Sequence, residues 1–182
     1  MKENLPIIWV DCEMTGLSLD SDALIEIAVV VTDSELTQLG EGIELVIKPP
    51  DQALTQMSDF VRNMHEESGL LLDLPKGIEL SEAESIILEH LKSLGVEENK
   101  SPIAGNSILM DRNFIARDLP LVDAYLHYRS IDVSSIKELA KRWHPKIYFN
   151  SPEKIGNHRA LADIQDSIIE LAYYRENLFP KI

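Results

Sequence analysis

The chain has 182 residues and carries 31 Asp or Glu against 17 Lys or Arg, a formal net charge of −14. That length suits a single domain over residues 1–182, and the acidity argues against holding long nucleic acid through a broad basic surface. No apolar run reaches the ~18 residues of a membrane span, and MKENLPII leads into strand-like sequence rather than a leader cleavage site, so a cytoplasmic protein is expected.

A lone cysteine, Cys12, rules out an internal disulfide and a cysteine zinc site, which suits a reducing compartment. Charge is unevenly spread: residues 1–91 hold four Lys or Arg against nineteen Asp or Glu, and residues 92–182 hold thirteen against twelve. An anionic ligand should then be held chiefly by the second half, unless the acidity serves only solubility.

In chain order, IIWVDC, ALIEIAVVVTD and GIELVIKP predict strands joined closely enough for antiparallel hairpins. Residues 53–65 have a looser helical pattern, with turns near Pro75 and Gly77. A helix is predicted over 82–94, with Ser81 and Glu84 in capping-box spacing and Gly95 as its stop. SPIAGNS and RSIDVSS predict short strands, DRNFIARDL a short helix cut by Pro120, and residues 134–144 a helix closed before Pro145. KIYFNSPEKIGNH is read as irregular, and a last helix starts near His158 or Arg159 with Leu161, Ile164, Ile168 and Leu171 on one stripe. This order predicts an α/β fold, a mixed sheet with helices packed on it.

The first strand ends on two carboxylates. Asp11 and Glu13 alternate onto one face about 6 to 7 Å apart, where like charges need either a retained proton or a divalent cation. Asp111 follows SPIAGNS at a sheet edge, although an Asp there also fits the N-cap of the next helix. His158 and Asp163 are five residues apart, about 140° around a helix, so a shared site requires His158 to sit on the preceding segment. Four carboxylates suit Mg²⁺ or Mn²⁺, two such ions can activate a water and stabilise a leaving oxygen, and a histidine supplies a base near neutrality. The phosphate loop G-x-x-x-x-G-K-S/T, H-E-x-x-H and G-x-S-x-G are all missing from the chain.

Taken as an ordered set, WVDCEMTGL, GNSILMDRNF and NHRALADI resemble the three sequence blocks of the DEDDh exonucleases. With HYRSIDVSSIKEL they are similar, more narrowly, to the oligoribonuclease family across nearly the whole chain. The resemblance implies a ribonuclease H-like fold with a five-stranded mixed sheet, and a homodimeric 3′-to-5′ exoribonuclease acting on very short RNA, above all dinucleotides. It assigns Asp11, Glu13, Asp111 and Asp163 to two metal ions and His158 to the general base. It further implies that Leu17 wedges against the bases and that His65, Ser107 and Ser134 hold the 5′ phosphate. Tyr128 and Arg129 would reach across from a second subunit. Leu17 could instead be a core leucine after a turn, Ser134 a helix cap and Tyr128 interface packing. Phe60 stands where the family usually has tryptophan, giving a smaller ring for stacking, and Cys12 where an aliphatic residue is common. Two other readings are a related nuclease that trims longer DNA or RNA, which the acidity and the HYR segment disfavour, and a non-catalytic nucleotide-binding module, which would be expected to have lost a carboxylate.

Overall fold

The computed structural model describes residues 5–154 and 158–180. Three Ile- and Val-rich segments form antiparallel neighbours, β1 (Ile7–Met14), β2 (Leu24–Thr32) and β3 (Ile43–Val46). On the other edge of β1, β4 (Ile103–Gly105) and β5 (Ser130–Asp132) add in parallel, giving the order β3-β2-β1-β4-β5. This is the five-stranded mixed sheet that was expected. Every residue of β2 is buried, as an unbroken apolar run covered on both faces requires.

Helices cover the sheet: α1 (Asp51–Gln56), α2 (Asp59–Glu67), α3 (Leu70–Asp73), α4 (Leu80–Ser93), α5 (Leu109–Asp118), α6 (Pro120–Tyr125), α7 (Val133–Trp143), α8 (Pro145–Phe149) and α9 (Ala160–Leu178). On one face Ile8, Val10 and Cys12 of β1 join a core with Ile87 and Leu91 of α4, Ile115 of α5 and Val122 of α6. On the other, Ile7 and Trp9 pack with Ala28 and Val30 of β2, Val133 of α7, and Ala160, Ile164 and Leu171 of α9. Strand alternation then carries Asp11 and Glu13 onto the α9 face, just where the apolar stripe stops. No described helix is long and apolar enough to cross a membrane.

Several local expectations change. The helix over 53–65 is broken at Met57 and Ser58, because the Ser58 hydroxyl accepts the Val61 N–H at 3.3 Å and begins α2 afresh. The capping box at Ser81 does not form. Ile78 bridges to the sheet, donating to Val46 O at 2.9 Å, so α4 begins at Leu80 with Glu79 as an N-cap that makes no side-chain bond. Glu84 is used elsewhere, accepting the Leu121 N–H of α6 at 2.7 Å. Part of the segment read as irregular is helical, since Pro145 at the first turn presets the backbone for α8. Gly95 ends α4 as expected, with φ of 73°.

Candidate active site

The edge of β1 explains how Asp111 reaches it. Strand β4 pairs with β1 only at Ile8–Ile103 and Trp9–Ala104. Ile8 N–H donates to Pro102 O at 3.1 Å, but four residues further along the same edge the Cys12 N–H has no strand to meet and donates to Asp111 Oδ1 at 2.9 Å. Asp111 is buried in the first turn of α5, whose N-cap position belongs to Ile108, so the helix-cap alternative for Asp111 does not hold. Cys12 points into the opposite core, away from Asp11 and Glu13.

At the start of α9 the two partners separate as their spacing predicted. Helix begins at Ala160 with Arg159 as N-cap, Asp163 lies in its first turn, and His158 sits before it with φ of 57°. One ligand atom from each of Glu13, His158 and Asp163 lies within 4.8 Å of the other two.

Reading the sequence missed the groups that pin this helix start. Glu26, wholly buried opposite Glu13 across β1 and β2, accepts the Ala160 N–H at 2.9 Å and pairs with Arg159 at 2.8 Å. Glu44 of β3 accepts the Leu161 N–H at 3.0 Å and meets Arg159 at 3.4 Å, and Asp73 of α3 meets Arg159 at 3.2 Å. A signal existed in LIEIAVVV, where a carboxylate interrupts an apolar strand just as Asp11 does.

Burial crowds the remaining carboxylates. The Asp11 carboxyl is pushed up to about 9, first by burial and then by Asp111, Asp163 and Glu13. Glu13 rises to about 8 through burial and then Asp163, Glu26 and Asp111, with Arg159 opposing. Asp111 rises to about 7 through burial, against the backbone N–H groups that favour its ionised form. Burial also lifts Asp163, while His158 and Lys154 pull it down. Such a set keeps protons near neutrality unless a cation replaces them. Oxygens this close can share a hard divalent ion at roughly 2.0–2.6 Å per bond, so the residues fit a divalent metal.

Beneath Glu13, His65 is 0 % exposed. Its Nε2–H donates to the Met14 carbonyl at 2.9 Å, which leaves Nδ1 without a partner 4.0 Å from Glu13 Oε2. His65 is thus tied to the β1 backbone beside Glu13 and is not part of the open surface.

Leu17 is 67 % exposed, so it is not the core leucine that a turn could supply. Its turn is clasped by Asp22, which accepts from the Thr15 hydroxyl at 3.2 Å and the Ser18 N–H at 2.9 Å. A Cβ at Gly16 would lie 2.4 Å from Asp22 Oδ2, so any larger residue there must push the Asp22 clasp aside. Phe60, on the first turn of α2, is 78 % exposed.

Ser107 and Ser134 are brought together with their hydroxyls 3.2 Å apart. Asp132, another residue the sequence did not single out, accepts both of their backbone N–H groups at 2.9 and 3.2 Å. Asp132 therefore caps α7, and Ser134 is left to donate to Asn106 Oδ1 at 3.1 Å. Asn106 in turn donates to Glu170 at 3.2 Å, and Glu170 pairs with Lys137 at 2.8 Å and Lys154 at 3.7 Å. Tyr128 and Arg129 stand on exposed chain between α6 and β5, with the guanidinium 5.0 Å over the ring. Among the described residues neither joins the cluster around Glu13.

The family model described as "Exonuclease" matches residues 8–171. In fold, the chain is similar to E. coli exonuclease I in a zinc-bound complex with single-stranded DNA (TM-score 0.73, 16 % identity) and to exonuclease I from Methylocaldum szegediense (0.70, 19 %). Those alignments cover 97 % and 96 % of this chain, which spans 41 % of each of the larger proteins. These likenesses bear out the ribonuclease H-like fold.

Among curated relatives, an oligoribonuclease of Streptomyces avermitilis is 58 % identical over 173 residues, covering 95 % of this chain and 86 % of its own. One from Cutibacterium acnes is 54 % identical over 172 residues, covering 94 % and 85 %. The chain belongs to the oligoribonuclease family of exonucleases.

Proposed function

We propose that the chain, as one exonuclease domain over residues 1–182, removes nucleotides from the 3′ end of very short RNA, dinucleotides above all, releasing nucleoside 5′-monophosphates. One observation carries this reading: Glu13, His158 and Asp163 converge within 4.8 Å at the end of β1, beside Asp11 and the anchored Asp111. Asp11, Glu13, Asp111 and Asp163 would hold two divalent cations, Mg²⁺ or Mn²⁺. When bound, such ions supply an activated water and stabilise the leaving oxygen of a phosphodiester.

His158, exposed beside Glu13 and Asp163, would be the base that takes a proton from an attacking water. Leu17 and Phe60 offer apolar surface to the bases, as their exposure permits. Ser107 donates its hydroxyl to the 5′ phosphate, as does Ser134 once it turns from Asn106, with Lys137 and Lys154 nearby as positive charge from the second half of the chain. His65, wholly buried beside Glu13, meets that phosphate only when it is uncovered. Tyr128 and Arg129 act across a homodimer, where an arginine fork suits phosphate oxygens. Such capping of both ends selects for short substrates in the cytoplasm.

Cleavage of RNA from two to about twenty nucleotides, with Mg²⁺, with Mn²⁺ and with chelator, tests this. Metal-dependent turnover highest on the dinucleotide is expected. Preference for the twenty-nucleotide chain, or full turnover in chelator, would overturn it.

A further inference from the structure

His158 occupies a left-handed backbone conformation, which a residue with a Cβ adopts only when its surroundings hold it there. The hold comes from the next residue. Arg159 spreads its guanidinium over three carboxylates from three elements, Glu26 of β2, Glu44 of β3 and Asp73 of α3. Glu26 and Glu44 use their other oxygens to accept the Ala160 and Leu161 amides, so side chain and helix start are fixed by the same groups. Glu26 also lies directly across from Glu13 in the β1–β2 register. A single rigid connection therefore runs from the Glu13 edge of the sheet, through Glu26 and Arg159, to the backbone that carries His158.

We propose that Arg159 is the positioning residue of this site: clasped by Glu26, Glu44 and Asp73, it sets where His158 projects over Glu13 and Asp163. The proposal rests on His158 as the base. Arginine suits the task because one planar fork meets several carboxylates at once, which a lysine ammonium on a flexible stem does not. A base displaced by about 1 Å loses on the order of 10²-fold in rate, whereas substrate held elsewhere still binds.

The test uses Arg159→Lys, which keeps a charge for Glu26, beside Arg159→Gln, which does not. In Arg159→Lys, kcat should fall by roughly 10- to 100-fold with KM within about twofold. Adding Arg159→Lys to His158→Ala should lower kcat no further, because the residue acts through the histidine. In the metal-free protein, NMR contacts between the His158 ring and the Glu13 and Asp163 side chains should be present and should weaken in Arg159→Lys. Unchanged kcat, unchanged NMR contacts, or an equal loss in the His158→Ala background would each overturn the proposal. Near-normal kcat in His158→Ala alone would instead refute the base, while the NMR contacts still decide whether Arg159 places the ring.

Discussion

Glu13 and Glu26 are direct neighbours across β1 and β2, both buried, and the fold treats them in opposite ways. Glu26 is met by the Arg159 guanidinium and the Ala160 amide. Glu13 faces Asp163, Asp111 and the bare Nδ1 of His65. A buried charge needs a partner, and the difference teaches where that partner comes from. The protein satisfies one carboxylate with its own cation and leaves the other with no internal cation beside it among the described residues, so that in the proposed function a cation from solution would meet it.

The largest effect should come from the carboxylate that lacks an internal cation. Glu13→Gln should lower turnover by about 10³-fold, since a bound metal is worth several kcal/mol in the transition state. Circular dichroism should show the fold intact, and near-normal turnover would erase the distinction. Next, Glu26→Ala removes the buried partner of Arg159 and leaves the Ala160 N–H unmet, which together cost about 3 kcal/mol even with Glu44 and Asp73 still on the guanidinium. At 2–4 °C per kcal/mol the melting temperature should drop by roughly 10 °C, and a shift within about 1 °C would mean that Glu26 is not the internally satisfied member.

A third measurement follows pH. Folded, metal-free protein keeps protons on Asp11, Glu13 and Asp111 that the unfolded chain releases above about pH 4. Stability should therefore fall as pH rises, each contribution being used up as its folded value is passed, near 7 for Asp111, 8 for Glu13 and 9 for Asp11. Thermal melts in chelator should show this decline, Glu13→Gln should flatten it, and the rise in melting temperature on adding Mg²⁺ should grow with pH. A flat chelator profile would mean that the carboxylates are already ionised without metal. The smallest effect belongs to the outer arm of the clasp, where Glu44→Gln should cost about 1 kcal/mol or less because the pair is partly open to water.

The same contrast explains what could be read before the structure. Asp11 and Glu13 stand out by position, together ending an apolar strand, whereas Asp163 gains a role only through the resemblance carried by NHRALADI. Alternation is local geometry and survives folding, and the roughly 140° that a helix would put between His158 and Asp163 is why His158 lies on the segment before α9. The Glu26–Arg159 pair spans 133 residues, and no local pattern joins its halves. Glu84 shows the converse. Its spacing from Ser81 satisfied a local rule, yet a tertiary partner, the Leu121 amide, took it. Asp132 displaced Ser134 as the cap of α7 through a local bond only two residues long, a signal that D-x-S before the helix already carried.

One further consequence concerns chain length. Because β4 stops pairing with β1 at Ala104, the Asp111 carboxylate stands in for a missing strand residue, and it is delivered there by a connector of three residues between β4 and α5. Deleting one residue of that connector would draw the start of α5 toward β4 and carry Asp111 away from the Cys12 amide, while Ile115, one turn further on, keeps the rest of the helix on its core. Insertions and deletions at 106–108 should thus be poorly tolerated for function even where they are tolerated for folding. In this loop, length itself is a functional parameter.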